Sequence, residues 1–336
     1  MQSERIVRYD PALAAAPLFQ PVWRGDRPKL DRSFMFNGIE WRWRGPEQLG
    51  IAEQTLLLVL MELAAEQASR AEPVDEETRQ IESELYNLRE NRRPPTAELN
   101  VSFYELCRRL GRNAGGSAVS QRRCELKRLC EVTVWSRHDD GTEFQSRLLF
   151  WQVGDNKGVR VFLNWRLTEV LFGGQYSAVC LNERLSLRSE CAKALHCALS
   201  LRIRGGATMA FHFEKLARYV WDDVGTRLSA KRQRDRAASE TPAAIAMRRR
   251  RPELVEAIGE IGQLSTWTVK STVNGAVQVS RRAAGRTEGA LPRPLLPRLS
   301  TTPKKLVKVS ASATKHSDPT GVWQIFARAA AQGKTG

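Results

Sequence analysis

Residues 102–137 read SFYELCRRLGRNAGGSAVSQRRCELKRLCEVTVWSR, a capped helix, a glycine turn, a cationic helix and a strand in succession. Ser102-x-x-Glu105 is a capping box, in which the serine oxygen and the glutamate carboxylate satisfy amide donors left open at a helix start. Phe103, Leu106, Cys107 and Leu110 then recur at helical spacing, and Gly111 ends the helix. Asn113-Ala-Gly-Gly116 makes a turn. A second helix, from about Ser117 to Cys130, buries Val119, Leu126, Leu129 and Cys130. Its other face presents Ser120, Gln121, Arg122, Arg123, Lys127 and Arg128. Beyond it, Val132–Arg137 reads as a strand, Asp139-Asp140-Gly141 as a turn, and Phe144–Val153 as one continuous strand. After a turn at Asp155-Asn-Lys-Gly158, Val159, Val161 and Leu163 alternate with Arg160 and Phe162, the period of a half-buried strand.

Upstream, Phe34-Met-Phe36, Asn37-Gly38 and Ile39-Glu-Trp41-Arg-Trp43 form a hairpin signal, because a type I′ turn needs positive φ twice. Leu56, Val59, Leu60 and Leu63 predict a helix with one buried stripe. Residues 72–95 are charge-rich and end at Pro94-Pro95, a peripheral helix or insertion.

Downstream, the pattern recurs. A helix from about Ser186 to Arg202 buries Cys191, Ala194, Leu195, Ala198 and Leu201. Gly205-Gly206 turns the chain into Met209–Phe211, and a helix follows with Phe213, Leu216, Ala217 and Val220 inside. An Arg-rich stretch leads into Leu254, Val255 and Ile258, and a second hairpin turns at Asn274-Gly275. Helix, helix, basic helix and β-hairpin thus occur twice, the order of a winged helix. The expected fold is α+β: tandem winged-helix domains with a disordered basic C-terminal tail. Its parts are an N-terminal arm and hairpin (1–45), a first winged helix (46–175), a second (176–282) and the tail (283–336).

The chain has 336 residues and a formal net charge of +16. Residues 227–251 hold nine Lys/Arg and two acids, and residues 281–336 hold eleven and two. These blocks account for the whole excess, so the charge is concentrated on segments suited to polyanions. Residues 281–318, rich in Pro, Arg, Lys, Ser and Thr, bury too little to offset chain entropy. Val322, Trp323, Ile325, Phe326 and Ala329 could share one apolar helical face.

Several classes are disfavoured. The apolar run Leu56–Met61 falls far short of the about 20 residues a membrane span needs. The Ala-rich stretch near Pro11–Phe19 is broken by Pro17 and lacks the form of a secretory signal. Six cysteines without a C-x-x-C read as reduced thiols in a cytoplasmic protein. The four histidines are scattered, Cys191, His196 and Cys197 have no second ligand pair, and Gly333-Lys-Thr-Gly336 has no helix after it. No catalytic residue, metal or cofactor is therefore expected.

In a major groove, Gln121 suits adenine and Arg122 or Arg123 suits guanine, whereas Lys127 and Arg128 suit phosphate. In the second domain Lys231, Arg232, Arg234 and Arg236 compete with Arg248, Arg249, Arg250 and Arg251 for the groove. Pro252 places the latter four before a helix start or at a kink. The preferred arrangement puts 248–251 on the DNA and 232–236 on a basic loop. Arg137 and Lys270 are wing candidates for flanking phosphates.

The chain resembles the RepC-type replication initiators of IncQ-like plasmids, and more distantly the TrfA-type initiators. The resemblance runs through Arg8-Tyr-Asp-Pro11, Ala16-Pro-Leu-Phe19 and Gly45-Pro-Glu-Gln-Leu-Gly50. It continues in Ser102-Phe-Tyr-Glu-Leu-Cys107 with Leu110-Gly111, in Leu171-Phe-Gly-Gly-Gln-Tyr176, and in Tyr219-Val-Trp221 with Pro252-Glu-Leu254. These blocks follow the family's order over about residues 8–280; residues 222–247 look longer than its pattern, and the tail after Arg282 is outside it. The resemblance implies binding to directly repeated duplex sites (iterons) at a plasmid origin, opening of A·T-rich DNA and recruitment of a replicative helicase, by a monomer or dimer without membrane association. The rival readings are a winged-helix transcriptional repressor, an enzyme of plasmid mobilisation or priming, and a basic RNA-binding module.

Overall fold

The computed structural model describes residues 4–16, 18–22, 25, 27–68, 97–139, 141–153, 158–172, 174–221, 242–271 and 275–283. In chain order its elements are β1 (Ile6–Tyr9), α1 (Pro11–Ala15), β2 (Leu30–Phe36), β3 (Ile39–Gly45), α2 (Ile51–Ala68), β4 (Ala97–Ser102), α3 (Phe103–Arg109) and α4 (Gly116–Cys130). Then follow β5 (Thr133–Arg137), β6 (Glu143–Arg147), β7 (Leu149–Val153), β8 (Gly158–Leu163), α5 (Trp165–Phe172), β9 (Ser177–Cys180) and α6 (Leu181–Ser186). The last are α7 (Glu190–Arg202), β10 (Thr208–Phe211), α8 (Phe213–Val220), α9 (Pro242–Gly262), β11 (Trp267–Ser271) and β12 (Val277–Arg281). All lie in one compact unit, residues 1–296. The insertion at 72–95 and the tail expected from 283 fall, save Ala283 itself, outside the described residues.

One topology appears twice. A helix (α2, then α7) is followed by a strand (β4, then β10), two helices (α3 and α4, then α8 and α9) and a hairpin (β7–β8, then β11–β12). Each copy forms a three-stranded antiparallel sheet, ordered β4-β8-β7 and β10-β12-β11, so the second hairpin strand lies in the middle both times.

The first copy carries an insertion that changes the expected strand plan. Phe144–Val153 is two strands in two sheets, divided at Leu148. That residue is fully buried, and its amide donates to the Val132 carbonyl at 2.9 Å. β6 pairs with β5, whereas β7 pairs with β8. β5 in turn pairs with β3, giving a four-stranded sheet β2-β3-β5-β6 that absorbs the N-terminal hairpin. The β2–β3 turn has φ 51° at Asn37 and 77° at Gly38, as a type I′ turn requires. Trp41 and Trp43 stack on the buried face of this sheet, ring centroids 5.9 Å apart.

α2 is not the one-striped helix the spacing predicts. Every residue from Leu56 to Met61 is fully buried, and so is Ala64. A helix apolar on all sides belongs inside a core rather than on a surface, and α2 packs against β1, β4, α4, α5 and α7. The helix expected from about Ser186 starts later, as α7 after Ser189, whose Oγ accepts from the Ala192 amide, and a separate helix, α6, ends at Ser186 just before it. Leu201 is half-buried, and the core side of α7 also takes Ala192, His196, Cys197, Leu199 and Ser200.

Three polar groups tie the chain together inside this core. Asp10 caps α1 through the Ala12 amide and receives Arg166 at 2.5 and 3.0 Å, next to the β1–β9 pair. Arg184 is fully buried and donates to Gln54 Oε1 (2.7 Å), Thr55 Oγ1 (3.1 Å) and the Lys193 carbonyl (2.7 Å), joining α6 to α2 and α7. Glu183 accepts from Trp267 Nε1 (3.1 Å) and from Thr266 Oγ1, and lies 3.0 Å from His196 Nε2. The base of the β11–β12 hairpin is thereby fastened to α6 and α7.

Candidate nucleic-acid interface

α3 leads into α4 through the predicted cap and turn. Ser102 Oγ accepts from the Glu105 amide at 3.1 Å, but the Glu105 carboxylate does not complete the capping box. It accepts instead from Arg108 and Arg109 at 2.8 Å. Guanidinium groups one turn along are stronger partners for a carboxylate than a neutral amide. Gly111 turns the chain with φ 65°.

α4 presents Ser120, Gln121, Arg123 and Lys127 to solvent. The Arg123 guanidinium lies 5.1 Å from the Phe103 ring centroid, and Lys127 Nζ is 3.8 Å from Glu131. Two residues expected on this face are elsewhere. Arg122 is buried, with its Nη2 2.6 Å from Glu125 Oε1. Residues turn about 100° per step around a helix, and Arg122 falls on the same buried stripe as Glu125, Leu126 and Leu129, whereas Arg123 is one step round, on the exposed side. Burial pushes the Glu125 carboxyl up to about 7 against the opposing pull of Arg122.

Arg128 is half-buried and holds Glu47 at 2.7 Å and Glu53 at 3.1 Å. Glu53 is fully buried, accepts from the Gly50 amide at 2.8 Å, and also receives Arg27 at 3.1 Å. Carboxylates are favoured at helix N-termini, so Glu53 caps α2 and anchors α4 through Arg128. Arg128 therefore positions the helix in this structure and does not extend toward an outside phosphate.

α9 runs from Pro242 to Gly262 with Pro252 inside it, so 248–251 do not precede a helix start. Leu254, Ala257, Ile258 and Ile261 form its buried side. Arg248 and Arg251 are exposed, and Arg250 is half-buried. Aromatic residues of α8 and its C-cap support these cations. Arg250 lies 4.9 Å from the Trp221 ring, Arg251 5.0 Å from Phe213, and Arg202 of α7 3.7 Å from Tyr219. Each such contact contributes about 0.5–1 kcal/mol at an exposed site. The backbone of Arg249 belongs to α9, but its side chain is outside the described residues, as are Lys231, Arg232, Arg234 and Arg236.

Lys270 is exposed near the C-terminal end of β11; Asn274 of the expected turn lies outside the described residues. Arg137 is exposed too, 3.6 Å from Glu143. It stands on the four-stranded sheet rather than on a hairpin of the repeated topology, because β5 pairs with β3 and β6. The corresponding hairpin of the first copy is β7–β8, whose turn (154–157) lies outside the described residues. Charge blocks also miss Lys215 and Arg218, which face solvent from α8 at i, i+3 spacing amid balanced charge.

Among the described residues, no cluster of three or more His, Cys, Asp or Glu could hold a metal ion, and no helix is long and apolar enough to cross a membrane. All six cysteines are unpaired. No curated protein matches the chain. Two crystal structures of domains 2 and 3 of RctB are similar at 12% identity each. The first has a TM-score of 0.47 and covers 82% of this chain and 99% of that one; the second has 0.43 and covers 81% and 97%. The family model of Replication protein C (RepC) matches residues 2–283. The chain belongs to the RepC family.

Proposed function

We propose that this RepC-family chain is a non-catalytic plasmid replication initiator that binds directly repeated duplex DNA at an origin, helps open the adjacent A·T-rich DNA and recruits a replicative helicase. Each copy of the repeated topology is read as a winged helix, with α4 and α9 as the groove-facing helices. A helix of this kind fits the major groove, where base edges differ in donor and acceptor pattern.

The observation that carries the reading is that both copies place a cationic helix at the same step of one topology, after a shorter helix and ahead of the hairpin, with β5 and β6 inserted between the two in the first copy. On α4, Gln121 and Arg123 are the base-reading candidates and Lys127 a phosphate contact; on α9, Arg248 and Arg251 have the same exposure. Lys270 is a candidate for a flanking phosphate. With about six cations at phosphates, log K falls with log salt at a slope of roughly −5. Two heads on one chain suit a site longer than one helical turn, so one chain covers one repeat.

DNase I footprinting on the DNA flanking the gene tests this. Several protected direct repeats, spaced near multiples of about 10–11 base pairs, are expected. A single inverted site bound by a dimer would overturn the initiator reading in favour of a repressor.

A further inference from the structure

Between the first turn of α2, α4 and the segment joining α6 to α7 lies a cleft of about 900 Å3. Arg112, Arg122, Arg188 and Lys193 line it, together with the carboxylates Glu125 and Glu190. Two more guanidinium groups on its wall, Arg27 and Arg128, already hold Glu53. Arg112, Arg188 and Lys193 form no ion pair among the described residues. Lys193 is half-buried, and its pKa is lowered by burial and by the nearby positive charges of Arg184 and Arg112, which outweigh the opposing pull of Glu190 and Glu260. At the wall, Arg122 Nε and Glu125 Oε2 are buried without a hydrogen-bond partner.

Such an arrangement is self-opposing. Three cations repel one another in a concavity whose low-dielectric walls strengthen the repulsion, and an unpaired buried polar atom costs about 1–3 kcal/mol. The repulsion and the open Arg122 Nε–H are both relieved by one kind of occupant, an anion with several acceptor oxygens. Guanidinium and ammonium groups suit phosphate oxygens, and pockets of about 300–1,000 Å3 take molecules of nucleotide size.

We infer that this cleft is a binding site for a phosphate-bearing ligand, held by Arg112, Arg188 and Lys193, distinct from the groove-facing cations of α9 and β11. The phosphate comes either from a free polyphosphate or from a DNA backbone lying along the cleft.

The test is calorimetric titration of the full chain with sodium tripolyphosphate, alongside the Arg112→Gln/Lys193→Gln double variant. Arg112 is exposed, and the Lys193 carbonyl that receives Arg184 survives the substitution. The double variant is expected to bind tripolyphosphate at least about tenfold more weakly. Arg42→Gln, on the outer face of the four-stranded sheet, is expected to bind like the native chain.

Duplex titration at several salt concentrations separates the two sources. If DNA supplies the phosphate, tripolyphosphate competes with duplex and the double variant's salt slope shrinks by about 2. If a free polyphosphate is the ligand, duplex affinity and slope stay unchanged. No tripolyphosphate binding by the native chain, equal binding by the double variant, or equal weakening by Arg42→Gln overturns the inference. A direct-repeat footprint obtained alongside such a result would leave the proposed function standing and remove only this site.

Discussion

Arg122 Nη2 donates to Glu125 Oε1 at 2.6 Å, one turn apart on the inward side of α4. The next residue, Arg123, projects outward and rests over Phe103. A single helix step thus separates a structural arginine from one on the exposed face. The buried pair stands beneath Gln121, so its ionisation state bears on how firmly the outer face is held.

The first prediction concerns pH. The Glu125 carboxyl titrates near 7 in the folded protein against an ordinary 4.5, because burial disfavours its charge. The folded state then holds this proton more tightly than the unfolded chain. Its contribution is largest below about pH 4.5 and is lost as pH rises through 7, a difference on the order of 3 kcal/mol. Urea midpoints measured from pH 5 to 8 should decline, and Glu125→Gln should make the decline shallower. An identical slope in the variant would rule out Glu125 as the titrating group.

Substitutions along α4 should sort by where each side chain points. Gln121→Ala removes the proposed base-reading group and should relax sequence preference by about 1–3 kcal/mol at one position. Lys127→Ala should weaken specific and random duplex alike and reduce the salt slope by about 1. Arg122→Ala leaves Glu125 without its partner, so it should lower stability by about 1–3 kcal/mol without selectively relaxing sequence preference. Competition binding on matched and scrambled duplexes, with urea unfolding, distinguishes the three.

Local patterns were legible where one short-range rule governs. The Asn37-Gly38 turn, the Ser102 cap and the β11–β12 hairpin follow from backbone preferences that need no distant partner. The division at Leu148 was not legible: Phe144–Val153 has the composition of one strand, and only pairing with two different sheets splits it. β1 was missed because Ile6–Tyr9 is only four residues long and its partner β9 is more than 160 residues away. In the site, composition placed Arg122 and Arg123 together, whereas Glu125 and the helical turn draw one inside. Arg128 was misread for a related reason, since Glu47 and Glu53 are remote in sequence.

Arg184 offers a test of how the two copies are joined. Its guanidinium is fully buried and satisfies groups on α2 and the Lys193 carbonyl. Arg184→Ala would leave Gln54, Thr55 and that carbonyl without this donor and open a cavity, so a loss of about 3–5 kcal/mol is expected. Thermal unfolding should show it as a lower midpoint. A loss below about 1 kcal/mol would mean that the joint does not depend on this residue.

The last prediction separates the two accounts of Pro252. Inside a continuous α9, proline lacks the amide that would bond to the Arg248 carbonyl, and its ring crowds that turn. Pro252→Ala should then restore one helical hydrogen bond and raise stability, by up to about 3 kcal/mol at an interior position. If instead the helix began at residue 252, proline would occupy a favoured first position, and alanine would be neutral or destabilising. A raised thermal midpoint in Pro252→Ala supports the unbroken helix, with Arg248 and Arg251 in regular helical register. An unchanged or lowered midpoint returns 248–251 to a segment preceding the helix and removes Arg248 and Arg251 from the groove-facing helix proposed for the second copy.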